Sequence, residues 1–281
     1  MSDSDASSRG LARRFYFCLL AALSDLWNHR SLATVMAIRD TKAKYRSSML
    51  GVFWAVAPPI LAAVGLTAAR NSGMLNLGPT PIPYPVFVIL GVSLWQIFTS
   101  ALTQPGHALS AARGLLTKMN FPREVVVLSE LNKLLASVCI HLILVSVVFL
   151  IYRVPIVATV PLVVFPLASL IVLGLACGLL LAPAALLIGD ILNALPFLTG
   201  AFLVVTPVVY VVPTGEGWFA AAVRANPLTP VFETARYLIS AGIPPHPEFF
   251  ILVFFSSFIL LAVALVVFRA SMPIVVERWS S

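Results

Sequence analysis

Charge is what this sequence has least of. Charged residues occupy only 10% of the 281 positions, and apolar residues occupy 60%. A soluble domain has about 25% charged residues, so this chain cannot cover a water-facing surface of its own size. It contains five or six charge-free stretches of about twenty residues, which is the length that an α-helix needs to cross a membrane. The sequence therefore predicts an all-α membrane protein with several crossings.

Motifs that carry catalytic chemistry are also absent. The sequence has no G-x-x-x-x-G-K-[ST] phosphate loop, no H-E-x-x-H metal-binding helix and no G-x-S-x-G nucleophile elbow. The three cysteines show neither a disulfide framework nor C-x-x-C spacing. We therefore expect no catalytic residue, no metal and no cofactor on this chain. The net charge of +7 is attributed to basic loops, and nucleic acid is not expected as a partner because no aromatics interleave with the basic residues.

Ionisable residues are nearly missing from the apolar stretches. Only His141 lies clearly inside one, and Asp190 lies at the edge of another. A proton- or sodium-driven carrier normally needs ionisable groups at this depth, so that class is disfavoured. We interpret His141 as a polar residue packed on a neighbouring helix, with a direct role in transport as the alternative. A hydrolase that pairs His141 with Ser137 or Ser146 is disfavoured, because serines in such helices usually form other hydrogen bonds.

Six apolar stretches are interpreted as membrane spans. Prolines kink the first span at Pro58 and Pro59 and the fourth span near Pro183. The fourth stretch is long for one span and short for two, so we interpret it as a single long or tilted helix. The spans are residues 49–69, 82–103, 134–152, 154–188, 191–212 and 249–268. The predicted domains are a cytoplasmic amino-terminal region at 1–48, a membrane domain at 49–268 and a cytoplasmic tail at 269–281.

The distribution of lysine and arginine predicts the orientation. Eight of these residues precede the first span, four lie in the segment 105–133 and two in the tail, whereas four lie on the opposite side. Lysine and arginine near the ends of spans stay on the cytoplasmic side. Because the number of predicted spans is even, both termini are expected in the cytoplasm.

The segment before the first span predicts a helix at the membrane surface. In residues 11–38, Leu19, Leu23, Leu26 and Trp27 can share one helical face. This pattern is typical of an amphipathic helix that lies on the cytoplasmic leaflet. A short helix packed on a partner is an alternative that is compatible with it.

The segment 105–133 is polar and cytoplasmic in this topology. It has room for a short helix over 106–116, followed by a basic stretch that includes Lys118 and Arg123. Such a helix could lie across the membrane face and insert into the cleft of a partner that pushes it. An ordinary solvated loop is the alternative.

Two short helices are predicted between the fifth and sixth spans. The first covers 218–225 and ends at the Asn-Pro pair 226–227. In the second, Thr229 is expected to cap the amino terminus and Pro230 to occupy the first turn, and Gly242 is expected to end the helix. The two helices resemble a re-entrant pair that dips into the outer leaflet. An external loop with one surface helix is the alternative.

Three short motifs follow one another along the chain. They are Arg39-Asp40…Lys44-Tyr45-Arg46…Leu50-Gly51…Trp54…Pro58, then Lys118…Phe121-Pro122-Arg123-Glu124, and then Asn226-Pro227-Leu228-Thr229-Pro230. In order and spacing, from about residue 25 to residue 268, the chain resembles the permease subunits of ABC-2-type transporters that export polysaccharides such as O-antigen, teichoic acid and capsule. The double proline at Pro58 and Pro59 departs from the single proline expected there.

The resemblance implies both the architecture and the partners. The chain would be a half-transporter of six spans that forms a homodimer, with an interface helix before span one, a coupling helix after span two and two external gate helices before span six. A separate cytoplasmic ABC ATPase would bind ATP and Mg, so this chain would not itself be an enzyme. The cargo would be a glycan on an undecaprenyl-type diphosphate lipid, exported across the bacterial inner membrane.

The resemblance also assigns roles to residues. The lipid diphosphate would meet the basic residues Arg39, Lys42, Lys44 and Arg46, which suit that anion. Sugar rings would pass the aromatic residues Phe53, Trp54, Trp95, Phe98 and Tyr210. Coupling to the ATPase would involve Lys118, Phe121, Pro122, Arg123 and Glu124. The external gate would contain Asn226, Pro227, Thr229 and Pro230. Topological anchoring remains the alternative for the basic residues, and a lipid-facing or interfacial position remains the alternative for the aromatic ones.

Two other functions stay open. The chain could be an ABC-2 permease for a different cargo, such as a drug, a lipid or a lipo-oligosaccharide, or it could be a membrane enzyme or scaffold that acts without an ATPase. A neighbouring glycosyltransferase gene would favour polysaccharide export. A neighbouring ATPase gene would count against the enzyme or scaffold.

Overall fold

A computed structural model describes most of the chain. The described residues are 17, 20–21, 24–25, 27–46, 51, 53–75, 78–118, 123–155, 157–240, 242, 244 and 246–280. Only the backbone is described in residues 44–46, 117–118, 123–124 and 280.

All regular structure in the described residues is helical. The helices are α1 (Arg30–Arg46), α2 (Phe53–Asn71), α3 (Tyr84–Ala111), α4 (Arg113–Lys118), α5 (Arg123–Ile151), α6 (Val164–Leu187, preceded by a 3-10 turn at Val160–Val163), α7 (Asp190–Val205), α8 (Trp218–Ala225), α9 (Leu228–Ser240) and α10 (Pro247–Ser280). The predicted all-α class is confirmed.

Five of these helices are long and apolar enough to cross a membrane. They are α2, α3, α5, α6 with its preceding turn, and α10, and they coincide with the first, second, third, fourth and sixth predicted spans. The chain is therefore a multi-pass membrane protein. A single helix does cover the charge-free stretch before Asp190, as the fourth span predicts.

The helix of the fifth predicted span is shorter than expected. α7 ends at Val205, and Thr206 already has an extended backbone (ψ 131°). A helix of 16 residues is about 24 Å long, whereas the hydrocarbon core of a bilayer is about 30 Å thick. Residues 206–212 are apolar but not helical, so the extension of this helix to 212 is wrong.

The predicted loop at 105–133 is largely helical. α3 continues to Ala111, and α5 begins at Arg123 rather than at residue 134, so the helix predicted over 106–116 is split between the end of α3 and α4. The physical reason is packing outside the predicted spans. Leu109 and Val126 belong to an apolar cluster with residues of α6 and α10, and burying these side chains favours helix beyond the apolar stretches.

The centre of the bundle is the contact between α3 and α6. Gly174 and Gly178 on α6 face the backbone of Phe98 and Leu102 on α3, and a Cβ atom at either glycine would collide with it. Small residues at this spacing allow two membrane helices to approach closely. α10 packs along α6, and α2 and α5 pack on α3.

α1 packs against α5 of the same chain. Ala33 and Ala37 are buried, and Asn132 Nδ2 donates a hydrogen bond to Thr34 Oγ1 at 3.3 Å. An apolar stripe of Leu32, Val35 and Ile38 stays exposed on α1. Of the predicted amphipathic face, only Trp27 lies within the described residues, and it is exposed; Leu19, Leu23 and Leu26 lie outside them.

Candidate functional site

A polar cavity of about 460 Å³ lies between α1, α2, α3 and α5. Two helices each give a row of polar side chains to its wall. The residues of each row are four positions apart, which places them on one face of a helix. The rows are Gln96, Ser100 and Gln104 on α3, and Lys133, Ser137 and His141 on α5. Asp40 and Thr41 of α1 and Trp54 and Ala55 of α2 also line it, so parts of the chain that are distant in sequence form one site.

His141 is the deepest ionisable group of the cavity. Its side chain is only 4% exposed, and its Nδ1 atom has no hydrogen-bond partner within the described residues. A buried polar atom in an apolar region costs free energy unless it is paired. His141 is thus buried within the bundle, while its Nδ1 atom is left unpaired within the described residues.

The charged residues at the cavity rim are largely paired with one another. Lys133 Nζ lies 3.4 Å from Asp40 Oδ2 and also contacts the Glu130 carboxylate. Arg39 Nη2 lies 3.0 Å from the same Asp40 side chain. Two carboxylates thus surround one ammonium group at the rim.

The predicted basic residues lie on α1. Arg39 and Lys42 are exposed, and Lys44 and Arg46 lie in the last turn of the helix, with side chains outside the described atoms. The cavity lining includes neither Arg39 nor Lys42. Their proposed contact with a lipid diphosphate stays a prediction.

The predicted aromatic residues fall into two groups. Phe53 and Trp54 begin α2 and are exposed, with ring centroids 6.1 Å apart, and Trp54 borders the polar cavity. Trp95 and Phe98 are buried in the core of the chain, with ring centroids 5.7 Å apart. Tyr210 is partly exposed, and its hydroxyl donates to Val204 O at 2.7 Å. Whether any of these rings lines a path stays a prediction.

The predicted coupling residues lie where α4 meets α5. Lys118 is the last residue of α4, and Arg123 and Glu124 are the first two of α5. Phe121 and Pro122 lie outside the described residues. The coupling role stays a prediction.

The predicted pair of helices before the last span is present as α8 and α9. Asn226 and Pro227 separate them, and Thr229 and Pro230 lie in the first turn of α9. The predicted cap is wrong, because Thr229 Oγ1 donates to the carbonyl of Val223 instead of capping its helix.

Asn226 performs the role that was assigned to Thr229. Its Oδ1 accepts the backbone N–H of Leu228 at 2.9 Å. Its Nδ2 donates to Thr206 Oγ1 at 2.9 Å and to Val205 O at 3.3 Å. Asn226 therefore ties the start of α9 to the end of α7.

A buried arginine that the sequence analysis missed holds the same region. Arg236 of α9 is 5% exposed, and its Nη1 donates to Pro207 O at 2.6 Å while its Nη2 donates to Val208 O. Its guanidinium lies 3.8 Å from the ring centre of Phe87. Tyr84 of α3 donates to the next carbonyl, Val209 O, at 3.1 Å.

The site residues that the sequence analysis missed differ in whether the local sequence indicates them. Glutamines 96 and 104 with Ser100 form a four-residue repeat inside an apolar stretch, and this repeat could have been recognised as one polar helical face. Arg236 gives no such signal, because it lies in a short amphipathic helix where an arginine is ordinarily exposed.

Replacing Asn226 by alanine is expected to destabilise the protein by about 2–3 kcal/mol, because it leaves the buried Leu228 N–H without its acceptor and removes the donor to Thr206 Oγ1. Thermal unfolding of the detergent-solubilised protein measures the change. Asn193 on α7 is exposed, so N193A is the matched control and should unfold like the wild type. Equal stability of N226A and N193A would contradict the assigned role of Asn226.

Known proteins are similar to most of this chain. The profile of the family described as ABC-2 type transporter matches residues 31–240, from the second residue of α1 to the end of α9. Three similar proteins are each named O-antigen export system permease protein RfbA. The one from Myxococcus xanthus is 28% identical over 199 residues, which are 70% of this chain and 74% of that protein.

The other two come from Klebsiella pneumoniae. One is 23% identical over 248 residues, which are 85% of this chain and 91% of that protein. The other is 36% identical over 99 residues, which are 35% of this chain and 37% of that protein. The alignment with the latter therefore spans only about a third of its length.

Proposed function

Because the chain belongs to the ABC-2 type transporter family, we propose that it is the permease half of an ATP-driven exporter. The proposed cargo is a lipid-linked polysaccharide of the O-antigen type. The observation that carries this proposal is the similarity to proteins named O-antigen export permeases over 70% and 85% of the chain. The polar cavity among apolar helices supports a polar cargo.

We propose six crossings of the bacterial inner membrane with both termini in the cytoplasm. The five long helices, which are long and apolar enough to cross a membrane, would make five of these crossings. For the sixth, α7 supplies about 24 Å, and the seven non-helical residues 206–212 supply up to about 23 Å at about 3.3 Å each. Arg236 and Tyr84 donate hydrogen bonds to the carbonyls of residues 207–209 in this non-helical part, as irregular backbone at membrane depth requires.

Two copies of the chain would form the translocation path. α2 and α7 keep large apolar side chains exposed, among them Trp54, Leu61 and Phe197. Lipid covers part of such a surface, and a second copy would cover the rest. The homodimer would place the exposed aromatic residues of α2 beside a shared path, and Arg39 and Lys42 at the depth of a lipid diphosphate.

The driving energy would come from a partner. Among the described side chains of the five long helices, the buried carboxylate is that of Glu130 in the second turn of α5, and it already contacts Lys133. An ion-driven carrier normally needs ionisable groups deeper in the membrane. An ABC ATPase that binds ATP and Mg would supply the work instead. We place its contact at α4 and the start of α5, and we assign an external gate to α8 and α9.

Reversing two charges tests the contact with the ATPase. The double variant K118E/R123E is expected to insert normally but to lose stimulation of the partner's ATPase activity, because like charges would replace the proposed attractive contacts. ATP hydrolysis by the reconstituted complex measures the effect. Unchanged hydrolysis and unchanged export would refute the coupling role.

Deletion of the gene in its host tests the function itself. The deletion strain should lose surface polysaccharide and accumulate lipid-linked glycan inside, and expression of this chain should restore the surface polymer. Antibody labelling of intact cells and extraction of the lipid-linked glycan measure the two pools. Normal surface polymer in the deletion strain would refute the proposal and would favour an ABC-2 permease for another cargo.

A further inference from the structure

We propose that the polar cavity is a binding site for neutral sugar rings, whose hydroxyl groups hydrogen-bond to the two polar rows of α3 and α5. This inference rests on the proposed function, since it names the part of the cargo that the cavity holds. It also assigns a role to residues outside the three sequence motifs, namely Gln96, Gln104, Ser137 and His141.

The chemistry of the two rows matches hydroxyl groups. A sugar hydroxyl both donates and accepts hydrogen bonds, and amide, hydroxyl and imidazole side chains can do both as well. Each row extends over eight residue steps of helix, which is about 12 Å. Apart from Lys133, which is ion-paired at one end, the two rows offer a strip of uncharged hydrogen-bonding groups.

His141 shows that the protein leaves part of this strip unpaired. Its side chain is more than nine-tenths buried, it lines the cavity, and Nδ1 has no partner within the described residues. A packed structural histidine would normally bond to a neighbour, because an unpaired buried polar atom is costly. An unpaired buried nitrogen on a cavity wall indicates that the cavity binds a polar ligand.

The charge at the rim favours a sugar over a phosphate. Lys133 is engaged by both Asp40 and Glu130, and Arg39 also pairs with Asp40, so these two cations and two carboxylates balance one another. The rim therefore offers a diphosphate group no excess positive charge for a charge-assisted contact. The exposed Arg39 and Lys42 lie outside the cavity, so the anionic part of the cargo and its sugar part would occupy different places.

Trp54 completes the site as a flat wall. Its ring borders the cavity, and 63% of its surface is exposed, so a sugar ring can reach its face. An aromatic ring beside neutral polar groups gives a surface that is apolar in the middle and polar at the edges, like the sugar itself. Such a surface can bind a sugar ring without a charge-assisted hydrogen bond. Weak binding of this kind suits a polymer that has to be translocated past the site.

In-cell photo-cross-linking tests the site directly. The photoreactive residue p-benzoyl-phenylalanine replaces Ala55 on the cavity wall or, as a control, Ile259, which is exposed on α10 away from the cavity. After irradiation of cells that make the polymer, the chain is purified in denaturant, and attached sugar is detected by periodate oxidation and hydrazide–biotin. We expect at least about a fivefold higher sugar signal at position 55. Equal signals, or a cross-link to lipid without sugar, would overturn the inference.

Variants of the rows provide a second measurement. Q104M with H141F removes two hydrogen-bonding groups at nearly constant volume and should lower both the sugar cross-link at 55 and the export rate about tenfold, whereas H141Q should keep both. If Q104M/H141F is missing from the membrane, the single variant Q104M is compared with H141Q in the same way. Wild-type export and cross-linking in Q104M would overturn the sugar site but leave the proposed function standing. Surface polymer that does not depend on this chain at all would refute the proposed function as well.

Discussion

Adding one methyl group at Gly91 is expected to destabilise the protein strongly. A Cβ atom at this position would collide with the carbonyl oxygen of Val208 and lie 2.7 Å from Arg236 Nη2. Neither neighbour can move easily, since Val208 O accepts a hydrogen bond from Arg236 and Arg236 also holds Pro207. We expect G91A to lose about 3 kcal/mol of stability, at the upper end for an overpacked core. Thermal unfolding and the yield of monodisperse protein in detergent measure the loss.

Gly65 provides the matched control for this prediction. It also lies within an apolar helix, α2, but a Cβ atom there would meet nothing within 4 Å. G65A should therefore be neutral or stabilising by about 0.5–1 kcal/mol, the ordinary preference for alanine inside a helix. If G91A were as stable as G65A, residues 206–208 could not lie against α3 as described.

The long helices could be predicted from the sequence because their signal is local. A charge-free stretch of about twenty residues has few alternatives to a membrane helix. The ends of these helices could not be predicted in the same way. α3 runs on to Ala111 and α5 begins at Arg123, because Leu109 and Val126 find an apolar cluster on α6 and α10, and that cluster exists only in the folded protein.

The end of α7 shows a different limit of sequence reasoning. Residues 206–212 are as apolar as a span, so composition alone favours a continuous helix. What prevents it is distant in sequence: Arg236 and Tyr84 hydrogen-bond to three successive carbonyls, those of residues 207–209. These donors come from α9 and α3, and no local sequence pattern predicts that they will contact this segment.

The polar cavity lies between these two cases. The four-residue spacing of its rows is readable from the sequence, and it predicts one polar face on α3 and one on α5. That the two faces meet each other and Trp54 follows only from the packing of α2, α3 and α5. Trp95 shows the same dependence on packing, since its position on α3 gives no local indication that it is buried in the core.

Replacing Arg236 by methionine is expected to release the segment that follows α7. The substitution keeps much of the volume but leaves the buried carbonyls of Pro207 and Val208 without donors, at about 1–3 kcal/mol each. It also removes the stacking of the guanidinium on Phe87, which contributes about 0.5–2 kcal/mol more. We expect R236M to lose about 3–5 kcal/mol in total, measured by thermal unfolding in detergent, and to lose export with it.

Arg224 separates this effect from a simple loss of positive charge. It lies on the neighbouring helix α8 and its side chain is exposed; among the described residues, its one side-chain hydrogen bond is a long one of 3.4 Å to Gly215 O. R224M should therefore change stability by less than about 0.5 kcal/mol. R236K should remain close to R236M, because an ammonium group cannot reproduce the planar fork that serves two carbonyls at once. If R236K kept wild-type stability, or if R224M were as damaging as R236M, charge and not hydrogen-bond geometry would hold residues 206–209 in place.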